Sequence, residues 1–214
     1  MKIGILTAMD KEFELVSSYV AGREDVVLRA SGIGKVNAAV SAYKLIEEEG
    51  VDLILNTGCA GAVDPSLNIG DVVIGTSFAY HDVWCGTGNE KGQVQGLPAN
   101  FFADPESLDL LQDAFEGDAG VHFGMVCSGD SFIETAEDDA RVKAVRPDAL
   151  VCDMEATAIA QLCYLRDIPF VAYKLVSDSH SDVDRTYATY ENFWGRLAEK
   201  SFAVTEKILS TLCE

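Results

Sequence analysis

Short, β-rich apolar runs alternate with stretches of helical periodicity from one end of the chain to the other. Met1 to Ala8 predicts a first strand, and Asp10 to Tyr19 a helix whose first turn is acidic, as the helix dipole favours. After the turn Ser31-Gly32-Ile33-Gly34, apolar residues at Val36, Ala39, Val40, Tyr43 and Ile46 recur at helical spacing, which predicts a helix buried along one side. Val51 to Asn56 predicts a buried strand running into Thr57-Gly58-Cys59-Ala60-Gly61, where the glycines permit tight backbone geometry beside a ligand. Asp71 to Ala79 predicts another strand, ending at Tyr80-His81-Asp82. Residues 84 to 105, broken by Gly86, Gly88, Gly92, Gly96, Pro98 and Pro105, read as a long loop, and loops of that length generally cover or complete something.

Ser107 to Phe115 predicts a helix, and Val121 to Cys127 a strand that leads into Ser128-Gly129-Asp130-Ser131-Phe132-Ile133. Ala149 to Asp153 is a strand passing into a helix from Glu155 to Tyr164, and Ile168 to Val176 is the last strand, followed by Ser177-Asp178. Tyr190, Phe193, Trp194, Leu197, Val204, Ile208 and Leu212 mark a closing amphipathic helix. No repeat, linker or low-complexity stretch interrupts this order. The expectation is one α/β domain over residues 1–214: three αβα layers around a twisted, mixed central β-sheet.

Composition narrows the partners. A formal net charge of −19 disfavours nucleic acid and anionic membrane surfaces. No apolar run is long enough to cross a bilayer or serve as a signal segment. The cysteines at 59, 85, 127, 152, 163 and 213 have no C-x-x-C spacing, which argues against a disulfide framework or a zinc site and fits a reducing cytoplasm. His81, His122 and His180 share no metal-ligand spacing and read as surface or hydrogen-bonded residues. Neither a metal nor another cofactor is expected. Ser31-Gly32-Ile33-Gly34-Lys35 lacks the full spacing of a phosphate loop and reads as a tight turn.

Chemistry concentrates at strand ends. In sheets with parallel strands, ligands collect beyond the carboxyl ends, and Glu12, Glu155 and Asp178 each follow a predicted strand. Taken singly, each is equally well a helix N-cap or a first-turn charge. The apolar flanks of Glu155 and Asp178 favour buried, proton-holding acids. Together the three suit N-glycosidic cleavage, which needs a proton donor at the base, an anion near a cationic sugar and an activated nucleophile on the opposite face.

The chain resembles the 5′-methylthioadenosine/S-adenosylhomocysteine nucleosidases of the purine nucleoside phosphorylase superfamily over nearly its whole length. The matching stretches run from Met1-Lys2-Ile3-Gly4-Ile5 through Ala8-Met9 and Glu12 to Ser31-Gly32-Ile33-Gly34-Lys35-Val36 and Asn56-Thr57-Gly58 with Ala60-Gly61. They continue in Tyr80-His81-Asp82, Ser128-Gly129-Asp130 with Phe132-Ile133, Met154-Glu155-Ala156-Thr157-Ala158-Ile159-Ala160 and Ser177-Asp178. The resemblance implies a nucleoside phosphorylase-like fold, a cytoplasmic homodimer, a purine nucleoside substrate and a place in methionine salvage. It implies that Glu12 activates water, Asp178 protonates the purine at N7, and Glu155 with Met154 supports the cationic sugar. Phe132 would stack on the base, the Ile133 backbone would read its edge, and Cys59, Ala60 and Gly61 would line its pocket. Met9, Ile33 and Tyr190 would surround the 5′ substituent, with Asp153 and Ser177 completing the substrate-binding set. For Met9 and Ile33, ordinary core packing is the competing reading.

Departures accompany the resemblance. The interval between Glu14 and Ser31 looks shorter than in typical members by about a β-hairpin, Cys59 stands where Ser is common, and Lys174 where Arg is common. The sequence after the last acid, Ser179-His180-Ser181-Asp182, also differs. A purine nucleoside phosphorylase would need fixed cations for phosphate, usually Arg, yet the corresponding positions read Thr7-Ala8-Met9-Asp10 and Asn56-Thr57. Water is therefore the expected nucleophile. A futalosine-type nucleosidase and a non-catalytic nucleoside binder compete with this expectation.

Overall fold

A computed structural model describes residues 1–178 and 204–213. Its elements are β1 (Ile3–Thr7), α1 (Asp10–Val20), β2 (Val26–Ala30), α2 (Lys35–Glu49), β3 (Leu53–Ala62), β4 (Val72–Tyr80) and β5 (Phe101–Phe102). They continue with α3 (Pro105–Ala114), β6 (Val121–Ser128), α4 (Ala136–Val145), β7 (Ala149–Asp153), α5 (Ala156–Arg166), β8 (Phe170–Asp178) and α6 (Val204–Leu212).

The strands run β2-β1-β3-β7-β6-β4-β5, and β8 pairs with both β3 and β4. Pairing is parallel for β1 with β2 and β3, for β3 with β8, and for β6 with β4 and β7. It is antiparallel between β3 and β7, β4 and β8, and β4 and β5. The mixed sheet thus closes a ring through β3, β7, β6, β4 and β8, with β2-β1 and β5 attached outside it.

Alternation along the central strands explains the layers. Ile3 and Ile5 of β1, Leu55 of β3 and Val171 and Tyr173 of β8 pack with Val16 of α1, Leu111 of α3 and Ile208 of α6. Leu6, Ile54, Ala172 and Val176 point the other way, to Ala42 and Leu45 of α2 and Ile159 of α5. Both faces are covered, which is why these strands read as continuous apolar runs rather than alternating ones.

The buried side of α2 is not the one marked by its larger apolar residues. Ala38, Ala42 and Leu45 face the core, whereas Val36, Val40 and Tyr43 are 74%, 49% and 46% exposed. Small side chains let the helix lie close to the sheet, and Gly4 keeps that approach open: a Cβ there would come 3.1 Å from Leu45 and Ile54. The interval before Ser31 holds a single edge strand, β2. The expected long loop ends in β5 and the start of α3, and Arg146 ties it down by donating to the carbonyls of Tyr80 (3.2 Å) and Ala99 (2.9 Å). Of the closing helix, Val204–Leu212 is described; Tyr190, Phe193, Trp194 and Leu197 lie outside the described residues.

Candidate active site

Glu12 lies in the first turn of α1, where the chain leaving β1 folds back over the end of β3. Its Oε2 accepts the N–H groups of Ala8 (2.9 Å) and Met9 (3.0 Å), and Oε1 accepts that of Cys59 (2.8 Å). Gly58 makes this possible: its φ is +148° and a Cβ would sit 2.6 Å from Glu12 Oε1. Burial raises the pKa of Glu12, and the three amides and the charge of Lys174 only partly offset that. The result is a fixed carboxyl that holds a proton more readily than an exposed glutamate.

Glu155 occupies the N-cap position of α5. Its Oε1 accepts the Gly34 N–H at 2.8 Å, bringing the turn before α2 to the site, and its Oε2 accepts the Met154 N–H at 3.3 Å. Burial, reinforced by the neighbouring Asp153 charge, pushes its pKa up to about 7.

Asp153 ends β7 and has both oxygens engaged. Ser128 Oγ donates to Oδ1 at 2.5 Å, while the Ala156 N–H (3.0 Å) and Lys174 Nζ (2.8 Å) donate to Oδ2. It therefore caps α5 and anchors β6 and β8. For Lys174, burial opposes the charge, but Asp153, Glu155 and Glu12 together outweigh it and hold the ammonium protonated.

Asp178 ends β8. The register with β3 shifts between Ala60 and Gly61, so that Ala60 pairs with Val176 and Gly61 with Asp178, skipping Ser177. Ser177 Oγ donates to Asp178 Oδ1 at 2.8 Å.

These residues border one cleft that encloses about 660 Å³ of empty space when its open mouth is included. The three acids are joined by Met9 and Met154, by Ile33 from the turn before α2, by Cys59, Ala60 and Gly61 from β3, and by Phe132 and Ile133 from the loop after β6. Asp153 and Ser177 also reach it, and Tyr190 lies outside the described residues. Ile33 and Phe132 are more than half exposed at the mouth, so simple core packing does not account for them. Met9 is partly buried on the cleft wall. Burial drives the Cys59 thiol pKa well up, which makes it a neutral lining group.

Sequence reasoning missed Ala8, Ser131 and Cys152, which also line the cleft, and the anchoring roles of Ser128 and Lys174. A lysine inside the apolar run Phe170 to Val176 was the available signal for Lys174. Among the described residues no three His, Cys, Asp or Glu side chains are grouped to hold a metal ion. The cleft presents acid–base groups: buried carboxyls of different environment along an otherwise apolar slot.

Comparison with known proteins shows the family of the chain. The model of the Phosphorylase superfamily matches residues 2–210. The 5′-methylthioadenosine/S-adenosylhomocysteine nucleosidase of Staphylococcus saprophyticus is 37% identical across 98% of this chain and all of its own length. That of Haemophilus influenzae is also 37% identical, across 99% of this chain and all of its own. The S. pneumoniae nucleosidase, solved with the transition-state inhibitor MT-ImmA, superposes with a TM-score of 0.90 at 31% identity, covering 99% of this chain and 100% of that one. Matched over nearly its whole length by these nucleosidases, the chain belongs to the 5′-methylthioadenosine/S-adenosylhomocysteine nucleosidase family of the phosphorylase superfamily.

Proposed function

We propose that the protein hydrolyses the N-glycosidic bond of 5′-methylthioadenosine, S-adenosylhomocysteine or both, releasing adenine, as a cytoplasmic enzyme of methionine salvage whose 214 residues act as one domain. The observation that carries this reading is the convergence of Glu12, Glu155 and Asp178 on one cleft. Glu12, its basicity raised by burial, takes the proton from the attacking water. Glu155 accepts from the ribose hydroxyls and balances the cationic sugar, helped by the polarisable sulfur of Met154. Asp178 gives its proton to N7 as the bond to the base lengthens, with Phe132 against the purine face.

Water rather than phosphate is favoured by the lining. The described cleft carries no Arg or Lys side chain, and Lys174 behind it is engaged by Asp153. A panel of purine nucleosides assayed without phosphate tests the reading. Adenine release from the two thio-nucleosides is the expected result; release that requires phosphate, or binding without release, overturns it.

A homodimer is part of the same proposal. Val36, Val40 and Tyr43 form an exposed apolar stripe on α2, beside exposed Ile33 at the cleft mouth, and Tyr164 and Leu165 are exposed on the adjoining α5. A second copy of the chain is the proposed cover, as in the symmetric dimers that are the commonest oligomers. Sedimentation is expected to give a dimer that V40E dissociates; a wild-type monomer at assay concentration overturns it.

A further inference from the structure

Three of the sequence motifs contribute a residue to one ionic network outside the cleft: Lys35, Asp82 and Asp130. Lys35 begins α2, directly after the turn whose Gly34 N–H holds Glu155. Its ammonium reaches both oxygens of Asp82, at 3.0 and 2.8 Å, lies 3.7 Å from Asp130 Oδ2, and sits over the Tyr80 ring at 5.2 Å from its centre. Its backbone N–H donates to Asp130 Oδ1 at 2.9 Å, so Asp130 caps the helix from another segment. The Asp130 N–H donates to Asp82 Oδ2 at 2.9 Å. Every link joins two of three separate segments: the start of α2, the residues at and just after the end of β4, and the loop after β6.

Two glycines let these segments touch. Gly129 lies against the His81 ring and the Asp82 carboxylate, where any Cβ would clash. Gly34 has a φ of +94°, and a Cβ there would press to 3.2 Å from Asp130 Oδ1. The turn carries Ile33 and the loop carries Phe132 and Ile133, all bordering the cleft. On the proposed function, on which this inference rests, the first belongs to the sugar side and the second to the base side.

We propose that Lys35, Asp82 and Asp130 are positioning residues of the hydrolysis, fixing the base-side loop relative to the sugar-side turn so that an intact nucleoside is held at both ends. A ligand spanning two segments binds best when their spacing is already set, because it does not then have to order them. A ligand touching one segment gains little from that spacing. Phe132, half out in solvent at the tip of its loop, has no other ionic tether to the sugar-side turn among the described residues.

The test compares wild type with K35M, D82N, D130N and K35R. In K35M and D82N, KM for 5′-methylthioadenosine is expected to rise about tenfold, a typical coupling within one network. Affinity for adenine alone should change less than about threefold, since adenine engages the base side of the cleft and not the sugar-side turn. K35M combined with D82N should lose no more than the worse single variant, and K35R should recover most of the loss. Hydrogen–deuterium exchange of residues 129–135 should quicken in unliganded K35M, and D130N provides a second variant should K35M fold poorly. Unchanged exchange and KM, or equal losses for adenine and nucleoside, overturn the proposal. Faster exchange in K35M alongside a wild type that cleaves no nucleoside would leave the network standing and sink the assigned reaction instead.

Discussion

Lys174 and Asp153 form an ion pair at 2.8 Å between side chains only 2% and 1% exposed. A buried pair gains little over well-packed apolar residues, but removing one member strands the other and costs about 3–5 kcal/mol. Its charge also acts on Glu12 and Glu155, for both of which Lys174 lowers the pKa that burial raises. K174M is therefore expected to lose stability on that scale and to shift the acidic limb of the pH–rate profile to higher pH, as Glu12 ionises later. K174R should restore both. Unfolding curves and pH–rate profiles measure the two effects separately, and an unmoved acidic limb would mean that Lys174 is only a strut.

Glu155 links stability to pH. With its folded pKa near 7 against an ordinary 4.5, the folded state keeps a proton that the unfolded chain has released throughout that interval. Stability should therefore fall as pH rises from about 4.5 to 7, by on the order of 3 kcal/mol. E155Q, still able to accept from Gly34, should remove that slope and melt higher than wild type at pH 8. Parallel slopes for the two proteins would contradict the assignment.

Acid and base can be separated chemically. D178N is expected to lower kcat about 10²-fold or more while binding survives, and E12Q should likewise spare binding. A riboside with an activated nitrophenyl leaving group needs no proton at the base, so it should rescue D178N far better than E12Q. Equal rescue would reverse or abolish the roles.

Gly58 sets where Glu12 stands. In G58A the new methyl meets Glu12 Oε1 and the backbone is strained at a φ of +148°. A stability loss of about 1–3 kcal/mol is expected, with kcat down by up to about 10²-fold, the effect of a 1 Å misplacement. A folded G58A enzyme with unaltered kcat would show that Glu12 is placed by its amides alone.

The layers and most elements were legible because the central strands are buried on both faces and the helices between them carry their own period. Ala149–Asp153 matches its expected span. What stayed hidden has physical causes. In α4 only Asp139 and Val142 are buried, so no apolar stripe exists; the signal is local, the reciprocal cap between Thr135 and Asp138. β2 is a half-covered edge strand whose Arg29 pairs with Glu48 in solvent. In α2 the larger periodic residues Val36, Val40 and Tyr43 lie on the outer face, since alanines signal burial weakly beside valine and tyrosine. The acids were legible as candidates from their strand-end positions, whereas the partners of Asp153 were not, because Ser128 and Lys174 come from strands far apart in sequence.

Because β8 pairs with β3 and β4 at once, the strand bearing Asp178 is also the one that shuts the ring. No contiguous stretch of chain holds the acids together: Glu12 and Asp178 meet only after pairings that span most of the sequence, and such long-range contacts form slowly. Recovery of catalysis after dilution from denaturant should consequently trail the return of helical signal, and enzymatic turnover becomes a clock for the final act of refolding.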